Sequence, residues 1–168
     1  MNTVTQELSL YLEDEAATES FGRALAALVR QGGQGLTVFL EGNLGTGKTT
    51  LSRGVMRGLG HDGAVKSPTY TIVEPYEHLT PPAYHFDLYR LGDPEELEYM
   101  GIRDYFQGRN LCLIEWPERG QGILPAADLW IRLDVSGEGR SALVSAATSR
   151  GMELQARLGA MHSPDQEG

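Results

Sequence analysis

Residues Gly42 to Thr49 read Gly-Asn-Leu-Gly-Thr-Gly-Lys-Thr. The pattern Gly-x-x-x-x-Gly-Lys-Thr is one that can cradle a phosphate chain. Gly42, Gly45 and Gly47 let the backbone bend around an anion with no Cβ in the way. Asn43, Leu44 and Thr46 complete the loop, whose N–H groups then point inward. A helix beginning at the lysine adds its positive N-terminal end. Lys48 supplies a mobile cation for β- and γ-phosphate oxygens. The Thr49 hydroxyl is sized to ligate Mg²⁺, and Thr50 falls near the α-phosphate. The chemistry in prospect is ATP binding.

Hydrolysis of a nucleotide also needs a carboxylate at the tip of a neighbouring strand, to hold Mg²⁺ or its water. Leu111-Cys112-Leu113-Ile114 followed by Glu115 has that form. Trp116 comes next and either packs over the site or belongs to the core. A second acid lies in Tyr84-His85-Phe86-Asp87-Leu88-Tyr89. Strand alternation puts Tyr84, Phe86 and Leu88 on one face, and His85, Asp87 and Tyr89 on the other. From spacing alone Asp87 either handles water or Mg²⁺ or merely sits on an exposed face. Lys66-Ser67-Pro68-Thr69-Tyr70 is either a switch loop, with Ser67 or Thr69 sensing a γ-phosphate, or a proline turn.

These residues need a scaffold. Leu8, Leu10 and Leu12 alternate with polar residues and predict a half-buried strand. Thr18 is the expected N-cap of a helix carrying Phe21, Leu25 and Leu28, closed by the glycines around residue 33. Leu36 to Leu40 predicts a buried parallel strand leading into the glycine loop. Thr49 to Leu59 predicts a helix with Leu51, Val55 and Leu59 at spacings of four. Thr69 to Tyr76, Ala83 to Tyr89 and Leu111 to Ile114 predict further strands. Asp93-Pro94-Glu95-Glu96 opens a helix, and Gly101 to Phe106 suits a second short one. Leu129 to Val135 and Ser141 to Ala146 predict a hairpin turning at Gly137-Glu138-Gly139. A helix over Met152 to Leu158 comes last. The expected fold class is α/β: one P-loop NTPase-like domain over residues 1–168, with a mixed, mainly parallel central sheet flanked by helices, a C-terminal β-hairpin and a loose tail over 155–168.

Composition narrows the function classes. The chain has 168 residues and a formal net charge of −9. Nucleic-acid binders draw affinity from a basic surface, so a protein partner is expected in preference to direct grip on RNA or DNA. Of 14 basic residues two are lysines, Lys48 and Lys66, and one of those lies in the glycine loop. The single cysteine, Cys112, excludes an intrachain disulfide. No apolar run approaches the ~20 residues of a membrane span, and the first residues lack a basic and apolar leader. The expectation is a cytoplasmic protein with no membrane partner.

Taken together, Gly42–Thr50 (GNLGTGKTT), Val65–Glu74 (VKSPTYTIVE), Tyr84–Arg90 (YHFDLYR), Asp93–Phe106 (DPEELEYMGIRDYF) and Leu113–Pro117 (LIEWP) resemble the bacterial ATPase subunit of the tRNA threonylcarbamoyladenosine-biosynthesis machinery. The likeness runs in order over roughly residues 10 to 160. It implies a role in modifying the adenosine beside the anticodon of tRNAs that read codons beginning with A. In that pathway a separate enzyme makes threonylcarbamoyl-adenylate, and a two-protein transferase pair moves the threonylcarbamoyl group to tRNA. The family implied binds that pair and hydrolyses ATP to support its turnover, without performing the transfer. Contact with tRNA is then indirect, and DNA is not a partner. Residue by residue, the resemblance implies Lys48 as phosphate lysine, Thr49 and Glu115 as Mg²⁺ positions, and Asp87 as the acid that assists hydrolysis. It places Asp14 and Glu15 where the family closes over the nucleobase, and Arg140 where a late basic residue approaches the nucleotide. A small-molecule kinase of the P-loop class is the alternative, but no arginine-bearing lid is visible in the sequence. A GTPase would carry an Asn-Lys-x-Asp motif, which is absent. A nucleotide-gated scaffold is the non-enzymatic reading.

Overall fold

Strands that read as unbroken apolar runs must be covered on both faces, and those that alternate need cover on one. The computed structural model describes residues 7–32, 35–66, 68 and 70–162 and follows this rule. Strands β2 (Leu36–Glu41), β4 (Ala83–Asp87) and β5 (Leu111–Glu115) lie at the centre, with β4 and β5 buried throughout. Strands β6 (Leu129–Ser136) and β7 (Gly139–Ala146) alternate and form the hairpin, its turn made by Gly137 and Glu138. Strands β1 (Glu7–Leu12) and β3 (Val73–Tyr76) form the two edges.

Among the described residues these make one seven-stranded sheet in the order β1-β7-β6-β2-β5-β4-β3. Pairings β6–β2, β2–β5 and β5–β4 are parallel, and the outer pairings are antiparallel. β3 and β7 therefore run against the other five strands, and the sheet is mixed but mainly parallel. Leu40, Glu115 and Asp87 fall side by side across β2, β5 and β4. The carboxyl ends of the parallel strands thus share one edge, where α/β sheets offer their binding crevice.

Each sheet face has its own apolar core. Helices α1 (Glu15–Gly32), α2 (Lys48–Gly58) and α5 (Ser149–Met161) supply one, with Phe21, Leu25, Leu51, Val55 and Leu158 fully buried against the sheet. Each such side chain contributes about 1.5–3 kcal/mol of burial. The short helices α3 (Glu95–Tyr99) and α4 (Ile102–Tyr105) close the other face, with Leu97 and Ile102 against Phe86 and Ile114. α1 and α2 meet at backbone distance. A Cβ on Gly22 would run into the Leu51 carbonyl oxygen, and one on Gly54 into the Glu19 carbonyl oxygen. No helix among the described residues is long and apolar enough to cross a membrane.

Three local expectations are corrected. Thr18 does not cap α1: it lies inside the helix, and the Asp14 carboxylate accepts the Ala17 N–H at 2.8 Å instead. The strand expected over Thr69 to Tyr76 is formed from Val73 onward: Ile72 takes a left-handed φ of 70° that turns the chain out of extended conformation, though its carbonyl still accepts the Asp87 N–H at 2.8 Å, and Thr69 lies outside the described residues. The last helix extends beyond Met152–Leu158 at both ends. Thr148 caps it by accepting the Gly151 N–H, and residues 155–161, expected to begin a loose tail, are its final turns.

Candidate active site

The glycine loop joins β2 to α2 at the shared strand edge. Gly45 and Gly47 have φ of 82° and 107°, in the left-handed region that glycine adopts without strain. Gly42 is needed for room: a Cβ there would lie 2.6 Å from both the Leu133 carbonyl oxygen and Thr46 Oγ1. α2 starts at Lys48 with Gly47 as its cap residue. Glycine offers no side chain to the opening N–H groups, which are left for an anion.

Lys48 is 5% exposed. Its Nζ donates to the Gly42 carbonyl oxygen at 2.6 Å, lies 4.3 Å from the centre of the Trp116 ring and stands 3.9 Å from Glu115 Oε1. Burial pushes the ammonium pKa down, while Glu115 and Asp87 pull the other way. A desolvated cation held by one carbonyl and an aromatic face is well prepared to exchange those contacts for phosphate oxygens.

The two acids come together as expected from the strand ends. Asp87 and Glu115 are neighbours in register, 6% and 4% exposed, which removes the exposed-face reading of Asp87. Burial raises the Asp87 pKa, the N–H bond from Tyr89 at 3.0 Å opposes that, and the nearby Glu115 charge adds to it. Glu115 is held on its other oxygen: His85 Nε2 lies 2.7 Å from Oε2. Trp116, with a left-handed φ of 57°, both lines the cleft and packs against the apolar core of one sheet face, so neither reading of this tryptophan excludes the other.

The cleft above these residues encloses about 630 Å³. Gly45, Gly47, Lys48, Thr49 and Thr50 line it, together with Asp87 and Glu115. Leu44 lines it from the exposed tip of the loop. Asp14, Glu15 and Arg140 line it as well. Arg140 reaches the loop itself, its Nε donating to the Thr46 carbonyl oxygen at 3.0 Å and its Nη2 to that of Gly45 at 3.1 Å. Glu15 accepts from Thr50 Oγ1 at 3.4 Å, tying α1 to α2 beside the cleft.

Not every expected residue lines this cleft. Thr46 is buried beneath the loop, its hydroxyl donating to the Asn43 carbonyl oxygen. Asn43 borders an adjoining hollow of about 130 Å³ with Glu41, Arg132 and Asp134, which shares Lys48 and Trp116 with the cleft. Ser67 and Thr69 lie outside the described residues. Conversely, Tyr89, Arg90 and Glu138 line the cleft without having been singled out. Tyr89 and Arg90 lie two and three residues after Asp87, and Tyr89 shares its strand face, which was the available signal. Glu138 is brought in only by the hairpin's return to the loop.

The donors suit a hard cation. Among the described residues no group of three or more His, Cys, Asp or Glu side chains could hold a metal alone. The Thr49 hydroxyl and the Glu115 carboxylate are hard oxygen donors of the kind that suits Mg²⁺, a cation that takes few protein ligands.

A glycine loop set between a central parallel strand and a helix, with its lysine under strand-end carboxylates, defines the P-loop-like class of α/β folds. The crystal structure of YdiB from Bacillus subtilis has this fold, superposing with a TM-score of 0.79 at 28% identity over 94% of this chain and 97% of that one. Residues 12–142 match the model of the threonylcarbamoyl adenosine biosynthesis protein TsaE, and the chain belongs to that family. The tRNA threonylcarbamoyladenosine biosynthesis protein TsaE of Haemophilus influenzae is 48% identical over 151 residues, spanning 89% of this chain and 96% of the relative. That of Bacillus subtilis is 35% identical over 137 residues, spanning 82% and 84%.

Proposed function

We propose that the protein is a Mg²⁺-dependent ATPase that supports threonylcarbamoyladenosine formation in tRNAs reading codons that begin with A, by docking on the two-protein threonylcarbamoyl-transferase pair and sustaining its turnover. The observation that carries the ATPase reading is the meeting of a desolvated Lys48 with Asp87 and Glu115 at the foot of a glycine-loop cleft. Family membership and relatives whose names carry the tRNA modification support the pathway.

In this reading the loop amides and Lys48 bind the phosphates, giving up the bond to Gly42. Thr49 and Glu115 would hold Mg²⁺, which when bound would supply neutralisation of phosphate charge. Asp87, with its pKa raised by burial, orients the attacking water and takes up its proton as the γ-phosphate leaves ADP. Arg140 keeps the loop in shape through its carbonyls. Asp14 and Glu15, which line the cleft, face the nucleoside. The formal charge of −9 favours docking on proteins, with tRNA reached through them. A cytoplasmic location follows from the substrate.

The test is nucleotide binding and hydrolysis by the purified protein. ATP should bind in preference to GTP, turnover alone should be slow, and the transferase pair should accelerate it. Phosphate transfer to a small acceptor, or fast turnover indifferent to the pair, would contradict the proposal.

A further inference from the structure

Asp87, Lys48 and Glu115 leave one neighbouring group unused. His85 lies on β4, fully buried, two residues before Asp87 and on the same side of the strand. Its Nε2 stands 2.7 Å from Glu115 Oε2, a short bond to a carboxylate. Its Nδ1 is buried with no hydrogen-bond partner among the described residues.

A buried imidazole usually satisfies both nitrogens, because an unpaired buried polar atom costs stability. Here one nitrogen is left unsatisfied, and the other is aimed at a single carboxylate oxygen. A carboxylate only accepts, so Nε2 carries the hydrogen of this bond. An apolar side chain of similar size would pack on β4 without the orphaned atom. What it could not do is fix Glu115. With Oε2 held by His85, Oε1 is the oxygen turned toward Lys48, at 3.9 Å. The carboxylate plane is thereby set from behind, from a strand 30 residues away in the chain.

We propose that His85 is the positioning residue of Glu115: its Nε2–H fixes Oε2 and so presents Oε1 to the cleft and to the cation held there. The role rests on the ATPase reading above and extends it by naming what sets the cation site. Hydrogen bonds to the ligands of a metal orient them, and their loss commonly weakens metal affinity about 10- to 100-fold.

The test uses Mn²⁺ as a spectroscopic probe in place of Mg²⁺. Mn²⁺ uptake is measured by electron paramagnetic resonance with a saturating non-hydrolysable ATP analogue, and analogue affinity is measured separately in EDTA. His85→Phe keeps a ring of similar size and loses the donor; His85→Gln keeps an N–H near the Nε2 position. His85→Phe should bind Mn²⁺ about 10- to 100-fold more weakly while its analogue affinity in EDTA stays that of the parent. His85→Gln should recover most of the Mn²⁺ affinity. A purely structural role would lower both affinities together and show no recovery with glutamine. A measurement on the unsubstituted protein guards against a variant that fails to fold: long-range ¹H–¹⁵N spectra should show His85 with its hydrogen on Nε2, and a hydrogen on Nδ1 alone overturns the inference. Parent-like Mn²⁺ affinity in His85→Phe, or equal weakness in both variants, overturns the positioning role and leaves the ATPase reading standing. A parent that binds no nucleotide overturns that reading, and this role with it.

Discussion

Lys48, Asp87 and Glu115 combine burial with charge, so each is held at some cost to the empty protein. Asp87 gives the clearest consequence. Its folded pKa lies above the ordinary 3.8, chiefly through burial, so the folded chain holds that proton more tightly than the unfolded chain. Stability from this group is full below the ordinary carboxylate range and falls as pH rises through the folded pKa. At neutral pH the ionised carboxylate is a net burden. Asp87→Asn keeps an oxygen for the Tyr89 N–H and removes the charge. It should raise the Tm of the nucleotide-free protein at pH 7, with the gain shrinking as pH falls into the ordinary carboxylate range, where the parent is protonated as well; thermal melts in EDTA across that range are the check. The same variant should lose hydrolysis about 100-fold or more. Cys112 makes a separate point. Burial pushes its thiol up to about 12, and its Sγ donates to the Tyr105 carbonyl oxygen. It should resist thiol reagents at pH 8 in the folded protein and react at once in denaturant.

At the scale of elements, the tightest requirement is the glycine contact between α1 and α2. Alanine at Gly22 would gain up to ~1 kcal/mol of helix propensity. Its Cβ would meet the Leu51 carbonyl, a backbone atom that cannot swing aside, and overpacking of this kind costs about 1–3 kcal/mol. Gly22→Ala should therefore destabilise the protein on balance. Because α2 begins at Lys48, parting the helices should also weaken ATP binding; calorimetry and nucleotide titration would report both. The glycine loop, the apolar strand before it and the acid closing β5 were legible in the sequence because each is a local pattern. The cap of α1 was misread because Asp14 and Thr18 are both capping residues and the choice depends on where the turn enters. The left-handed Ile72 that shortens β3 has no signal in residue type. The His85–Glu115 and Arg140–Thr46 contacts span 30 and 94 residues. They exist only because β4 pairs with β5 and the β6–β7 hairpin returns to the loop, so strand order had to be known first.

The whole molecule places its chemistry on one sheet edge and carries a net charge of −9. On the proposed function, Lys48 and the loop amides must draw phosphate into the cleft against that general repulsion. Nucleotide affinity should consequently depend strongly on Lys48: Lys48→Ala should abolish detectable ATP binding while preserving the fold, as circular dichroism and a fluorescent-nucleotide titration would show. Association with naked tRNA should be weak and lost by physiological salt, since a surface of this charge releases few counterions.

The central claim is that this cleft hydrolyses ATP in the service of the transferase pair. The most direct measurement is ATP turnover with Mg²⁺, with and without the pair, for the unsubstituted protein and for Asp87→Ala. The account predicts slow turnover alone, a clear rise when the pair is added, and loss of both in Asp87→Ala. Unchanged turnover on adding the pair, or full activity in Asp87→Ala, would contradict it.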